Sequence, residues 1–108
     1  MTWTVTFYNK RLEIEILAFP AGFLARFLRY AERMEAFGPD LGMPHIRPLG
    51  SGLFELQIKA EEGIARVFYC TIVDNRIVFL HQFVKKTEKT PAKELDIARQ
   101  RMKEVKHG

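Results

Sequence analysis

Threonine alternates with large apolar residues in Trp3-Thr4-Val5-Thr6-Phe7-Tyr8, the period of two that sends successive side chains to opposite faces of a strand. A first, half-buried strand is predicted there. Leu12-Glu13-Ile14-Glu15-Ile16 alternates as well, yet Asn9 is a good N-cap and Leu12, Ile16 and Phe19 fall on one side of a helix. Strand and helix both fit residues 10–18, and a short helix is the preferred expectation. Past Pro20, which suits a first helical position, Phe23, Phe27, Tyr30, Met34 and Phe37 recur at spacings of four, three, four and three. They mark an amphipathic helix that stops at Gly38-Pro39. Its opposite side carries Arg26, Arg29 and Arg33, either a solvated face or a surface that touches RNA.

Residues 38–52 hold four glycines and three prolines, which predicts a long irregular connection inside one domain. Three strand-like runs follow, Leu53–Lys59, Ile64–Val73 and Ile77–Lys85, separated by Ala60-Glu61-Glu62-Gly63 and by Asp74-Asn75, a good two-residue hairpin turn. An antiparallel meander is the expectation. Thr90-Pro91 then starts a last helix whose apolar stripe is Leu95, Ala98, Met102 and Val105. The predicted class is therefore α+β: an N-terminal strand, a two-helix hairpin, a three-stranded antiparallel meander joined by the first strand, and a C-terminal helix.

A two-residue turn at Asp74-Asn75 sets Arg66 opposite Phe83, Phe68 opposite His81 and Ile64 opposite Lys85; the preceding hairpin sets Lys59 opposite Ile64, Gln57 opposite Arg66 and Glu55 opposite Phe68. Paired residues share a face. Glu55, Gln57, Lys59, Arg66, Phe68, Cys70, His81, Phe83 and Lys85 thus project to one side, and Phe54, Leu56, Ile58, Val67, Tyr69, Val78, Leu80 and Val84 to the other. The second set is core. Within the first, Arg66 stands in the middle strand, where an unpaired buried charge would be costly. It either pairs with Glu55 or joins Lys59, Lys85 and Lys86 in a cationic cleft spaced for phosphates, with Phe68 and Phe83 as stacking surfaces for single-stranded bases or as core beneath the last helix.

Composition narrows the field. The 108 residues make one domain, 1–108, and 47% apolar residues with 28% charged ones are those of a globular chain. Basic residues outnumber acidic ones 17 to 13. The imbalance is confined to residues 81–108, where Lys85, Lys86, Lys89, Lys93, Arg99, Arg101, Lys103 and Lys106 face only Glu88, Glu94, Asp96 and Glu104. A polyanionic or acidic partner is indicated, with Lys89 among the candidate RNA contacts. Cys70 is the single cysteine and the three histidines are scattered, so neither a disulfide framework nor a metal site is predicted. The opening residues lack the apolar run of a secretory signal, and the uncharged stretch Ile16–Ala25 falls far short of the ~20 residues of a spanning helix. A cytoplasmic, cofactor-free protein without a membrane partner is the expectation.

Several stretches carry a family resemblance: Phe37-Gly38-Pro39-Asp40-Leu41-Gly42-Met43-Pro44; Leu49-Gly50-Ser51-Gly52-Leu53-Phe54-Glu55-Leu56; Arg66-Val67-Phe68-Tyr69; and His81-Gln82-Phe83-Val84-Lys85-Lys86-Thr87-Glu88-Lys89-Thr90-Pro91, followed by Glu94-Leu95 and Ala98. With them the chain resembles, over nearly its whole length, the RelE/ParE superfamily of toxins from type II toxin–antitoxin systems, in particular its phage-derived HigB-like branch. The resemblance implies a RelE-like fold and a ribosome-dependent mRNA endonuclease that inhibits translation, cutting without a metal by attack of the 2′-OH. It also implies a cognate antitoxin, usually a small helix-turn-helix protein, that holds the toxin in a hetero-oligomer; the free toxin would be a monomer.

By the same resemblance Arg66 would lie against the scissile phosphate, Lys59 on the neighbouring strand, and Lys86, with Lys85 beside it, near a later basic position. Gln57 stands where RelE has another lysine, and RelE's tyrosine near the start of the C-terminal helix has no clear match. The base is therefore open between Lys59, whose pKa of ~10.4 would have to fall, and His81, whose ordinary pKa of ~6.5 is better placed. Two alternatives stay beside the nuclease: a ParE-like toxin that binds DNA gyrase without chemistry, and a toxin fold reduced to a binding module.

Overall fold

The computed structural model describes residues 2–42, 45–85 and 89–107. Strand β1 (Thr4–Phe7) leads into helices α1 (Lys10–Leu17) and α2 (Ala21–Phe37), then come strands β2 (Ile46–Gly50), β3 (Leu53–Ala60), β4 (Gly63–Ile72) and β5 (Arg76–Lys85), and helix α3 (Ala92–His107) closes the chain. The strands form one sheet in the order β1-β5-β4-β3-β2, with β1 parallel to β5 and every other pairing antiparallel. The α+β class is as the pattern predicts, and the order of elements departs from it only by the presence of β2.

Residues 10–17 are helical, and the reason is local: the Asn9 side chain accepts a hydrogen bond from the Leu12 amide at 2.9 Å, while Leu12 and Ile16 bury one side. Pro20 is the N-cap of α2 rather than its first helical residue and offers no side-chain acceptor. Glu62, in the turn between β3 and β4, supplies one by accepting from the Gly22 amide at 3.1 Å. Phe23, Phe27 and Met34 are buried as their spacing predicts, but Phe37 is 79% exposed. The helix ends there, and Trp3 fills the adjoining space, its ring nitrogen 3.0 Å from where a Cβ on Gly38 would stand.

The connection expected to be irregular contains a strand. β2 pairs with β3 from Ile46 opposite Leu56 to Gly50 opposite Leu53, with Leu49 bulged out and Ser51-Gly52 turning at positive φ. The sheet therefore has five strands where four were expected. Pro48 is tolerated because β2 lies at the sheet edge, where a missing N–H need not break a ladder.

The predicted register holds for all of β3 with β4, and for β4 with β5 from Ile64 opposite Lys85 to Phe68 opposite His81. Beyond that it shifts: Tyr69 pairs with Phe79, and the hairpin loop has three residues, Val73 to Asn75, with Asp74 and Asn75 at φ 66° and 55°. Leu80 is the extra residue of a β-bulge. One added residue exchanges the faces of everything past it. Hence Val78 and Leu80, expected beside Val67 and Tyr69, lie on the opposite side, and Ile77 and Phe79 take those places.

Both faces of the sheet are covered, and each makes its own core. α1 and α2 pack Leu12, Ile16, Phe23, Phe27 and Met34 against Leu56, Ile58, Val67, Tyr69, Ile77 and Phe79. On the other face α3 lays Ala98 and Met102 on Leu53, Phe68, Cys70, Val78, Leu80 and Phe83. No helix of the described residues is long and apolar enough to cross a membrane.

Candidate functional site

Arg66 sits in the central strand β4, opposite Gln57 on one side and Phe83 on the other, and is completely buried. Its Nη1 donates to Glu55 Oε1 at 3.1 Å and reaches Thr90 Oγ1 at 3.5 Å. Glu55, equally buried, also accepts from Gln57 Nε2 at 3.0 Å and, through Oε2, from the Thr90 hydroxyl at 2.6 Å. Three donors thus converge on one carboxylate, the condition under which a buried ion pair is held without a large desolvation loss. The Phe83 ring adds a cation–π contact, 6.0 Å from the Arg66 guanidinium carbon. Of the two roles the sequence leaves open for Arg66, the geometry realises the pairing with Glu55, and the guanidinium is closed off from bulk solvent.

Along the same face, His81 Nε2 lies 2.6 Å from Glu94 of α3, and its Nδ1 is buried without a hydrogen-bond partner among the described residues. Phe68 stacks nearly parallel on both His81 (6.1 Å between centroids, 7°) and Phe83 (5.8 Å, 21°). With Phe68 buried and Phe83 nearly so, these rings are core beneath α3. Cys70 lies in that core, and burial pushes its thiol pKa up against a smaller opposite pull from Lys106. On the other face Tyr69 is buried with its hydroxyl donating to the Pro39 carbonyl at 2.5 Å; burial and then Asp40 hold its pKa far above the usual phenol value.

Lys59 and Lys89 are exposed. Lys85 closes β5 opposite Ile64, its side chain and the whole of Lys86 lying outside the described residues. The structure therefore joins Arg66 to Glu55, Gln57 and Thr90, and His81 to Phe68 and Glu94, while Lys59 turns outward at the sheet margin.

Where Lys59 emerges it meets a second group of side chains. An open cleft of about 630 Å³ runs along α2 and is lined by Gly22, Ala25, Arg26, Arg29, Tyr30, Arg33 and His45. It continues into a smaller recess of about 90 Å³ lined by Arg26, Tyr30, His45, Gln57 and Lys59. Arg26 is drawn to the sheet by a hydrogen bond to the Lys59 carbonyl. His45 is fixed on its backbone by the Gln57 amide, which donates to the His45 carbonyl at 2.9 Å, and its ring lies 5.1 Å from that of Tyr30 with Nδ1 3.3 Å from the Tyr30 hydroxyl. No carboxylate is among the described residues lining either space.

Sequence pattern brings Arg26 and Arg29 forward but misses Tyr30 and His45. Tyr30 falls on the apolar stripe of α2 and so reads as core. His45 lies in the Pro/Gly-rich stretch, and its neighbours become visible only once β2 is known to pair with β3. Among the described residues no three His, Cys, Asp or Glu side chains converge as a metal site would require.

The chain matches the family described as phage derived protein Gp49-like over residues 14–103. No curated protein matches it. Among solved structures it is similar to the crystal structure of the archaeal RelE–RelB complex from Pyrococcus horikoshii OT3, with a TM-score of 0.59 and 18% sequence identity, covering 82% of this chain and 100% of that one. At that identity the likeness is one of fold.

Proposed function

The chain belongs to the phage-derived Gp49-like family and has the RelE fold, and from that premise we propose that it is the toxin of a toxin–antitoxin pair that cleaves mRNA on the ribosome. The structural neighbour is a RelE–RelB complex; here too a partner, an antitoxin that is a small helix-turn-helix protein, would hold the chain in a hetero-oligomer within the cytoplasm. The observation that carries the nuclease reading is the row formed by Lys59, Gln57 and Arg66 across β3 and β4, on the face that the resemblance assigns to the scissile phosphate.

Metal-free scission needs a base for the 2′-OH proton, cations for the charge gathered on phosphorus, and an acid for the departing 5′-oxygen. Arg66 supplies a planar cationic fork suited to phosphate, and Glu55 and Thr90 fix its orientation. Because the guanidinium is buried, it meets a phosphate only when the segment carrying Thr90 lifts; until then it organises Gln57 and Glu55 beneath Lys59. Lys59, exposed at the margin, is the cation an incoming strand reaches first, and Lys85, Lys86 and Lys89 extend the positive charge beyond β5.

The same burial of Arg66 favours a second reading, a ParE-like toxin that binds gyrase. Induced expression of wild type and Lys59→Ala without antitoxin, with growth followed and mRNA 5′ ends mapped on ribosomes, separates the two. The nuclease reading expects new A-site cuts with wild type and at least tenfold fewer with Lys59→Ala. Growth arrest without cuts overturns it in favour of protein binding.

A further inference from the structure

We propose that the cleft along α2 is a binding groove for single-stranded RNA, separate from the Arg66 face. Arg26, Arg29 and Arg33 stand about one helical turn apart, roughly 5 Å along the axis, and all three line or rim the same open space. Exposed arginines on a helix are ordinarily a solvated face. Three features set these apart.

First, the cleft is walled on its far side by ordered backbone: His45, just before β2 and tied to β3 by the Gln57 amide, comes within ring contact of Tyr30, so the arginines border a cleft instead of projecting from a convex helix. Second, the described lining contains no carboxylate to neutralise them; Glu62, at the Gly22 end of the cleft, accepts from the Gly22 amide. A concave surface of one sign focuses the field on an anion. Third, Tyr30 and His45 bring two adjoining rings to the floor of the cationic groove, and aromatic rings beside arginines are the combination that holds splayed bases and their phosphates. An acidic peptide would satisfy the arginines and leave the rings without a role, so RNA is the occupant the lining fits. Lys59, at the mouth of the smaller recess, links this groove to the face proposed for cleavage. A strand crossing that edge would be gripped by α2 on one side of Lys59 and delivered to the sheet on the other.

The choice of RNA as ligand rests on the proposed function, but binding is measured without cleavage, so the two fail separately. The test is fluorescence anisotropy of a labelled 12-nucleotide RNA of mixed sequence with the full chain at several salt concentrations. It compares wild type, Arg29→Ala/Arg33→Ala, His45→Ala and, as a control that removes one positive charge on the distant hairpin, Arg76→Ala. Thermal melts followed by circular dichroism establish that each variant is folded; all the altered side chains lie at the surface or half-buried. The double variant is expected to lower the slope of log affinity against log salt by about 1.4, from about 0.7 per phosphate contact on single strands. His45→Ala is expected to weaken binding about tenfold with the slope unchanged, as loss of a stacking surface does. Arg76→Ala should bind as wild type does.

Equal losses per charge removed, with Arg76→Ala costing half the log affinity that the arginine pair costs, would reduce the effect to diffuse charge and overturn the groove. Unchanged binding by His45→Ala would overturn the base-stacking part. Competition by polyglutamate at the same charge concentration as RNA would overturn RNA as ligand in favour of an acidic protein segment. Should the groove bind RNA as described while the chain makes no cuts on ribosomes, the inference stands and the nuclease reading falls.

Discussion

At Arg66 stability and function are hard to separate, because the residue the resemblance places at the phosphate is also one half of a buried ion pair. Arg66→Ala leaves the Glu55 carboxylate without its cation at zero exposure, a change that costs about 3–5 kcal/mol when one partner of a buried pair is removed. Against the 5–15 kcal/mol typical of a whole domain, that loss alone would deplete the folded protein. Urea unfolding should show the drop for Arg66→Ala. The double variant Glu55→Leu/Arg66→Met, which removes both charges, should recover most of it. If the double variant is no more stable than the single one, the pair is not what holds this part of the sheet. Loss of toxicity in Arg66→Ala is therefore uninformative by itself, and Lys59, which is exposed, is the better probe of chemistry. Sequence could place Arg66, Gln57 and Phe83 in one row because pairing fixes the face of each residue. It could not choose Glu55 as partner over an external phosphate, because the deciding group is Thr90, brought across by the chain after β5 with no register to predict it.

At the scale of elements the same distinction recurs between signals carried by neighbours in sequence and signals carried across the fold. α1 announces itself through Asn9, and α3 through the stripe of Leu95, Ala98, Met102 and Val105, because caps and periodicity are local; Thr90, expected as the N-cap of α3, instead donates its hydroxyl to Glu55, and the helix starts at Ala92 behind Pro91. The start of α2 is different. Pro20 has no side-chain acceptor, so the cap comes from Glu62, forty positions away in the turn between β3 and β4. Glu62→Ala should therefore destabilise the protein by about 0.5–2 kcal/mol, the range for a lost N-cap, with a favourable carboxylate–dipole contact included. Glu61→Ala, in the same exposed turn, should cost less than half as much. Paired thermal melts check this, and equal effects would mean that Glu62 acts through turn charge rather than as a cap. β2 escaped the pattern for a related reason: an edge strand of five residues with a proline and a bulge carries almost no alternation of its own, and only its pairing with β3 defines it. The bulge at Leu80 is likewise invisible in a run of apolar residues, where either face would accept Val78, Phe79 or Leu80.

The molecule as a whole is a sheet with two cores of unequal strength. α1 and α2 together contribute Leu12, Ile16, Phe23, Phe27 and Met34 to one; α3 contributes only Ala98 and Met102 as buried side chains to the other. Polar ties supplement α3: His81 to Glu94, Arg101 to the Leu80 carbonyl at 2.8 Å and Arg99 to the Leu49 carbonyl at 2.8 Å. Hydrogen bonds of this kind add about 1 kcal/mol each, well below what three more buried aromatic or aliphatic side chains supply. α3 should accordingly open as a unit at lower free energy than the rest. Cys70 reports that event, since it lies in the core beneath α3 and burial keeps its thiol protonated and unreactive while the helix is down. Met102→Ala, which removes buried volume from α3, should speed labelling of Cys70 by a disulfide reagent at least tenfold. Phe27→Ala should lower global stability by about 3–5 kcal/mol and leave the labelling rate near that of wild type. The two substitutions act on opposite faces of the same sheet, so parallel acceleration by both, in step with global stability, would mean that the molecule opens only by unfolding. Selective acceleration by Met102→Ala would instead identify an opening of the α3 face of the sheet alone.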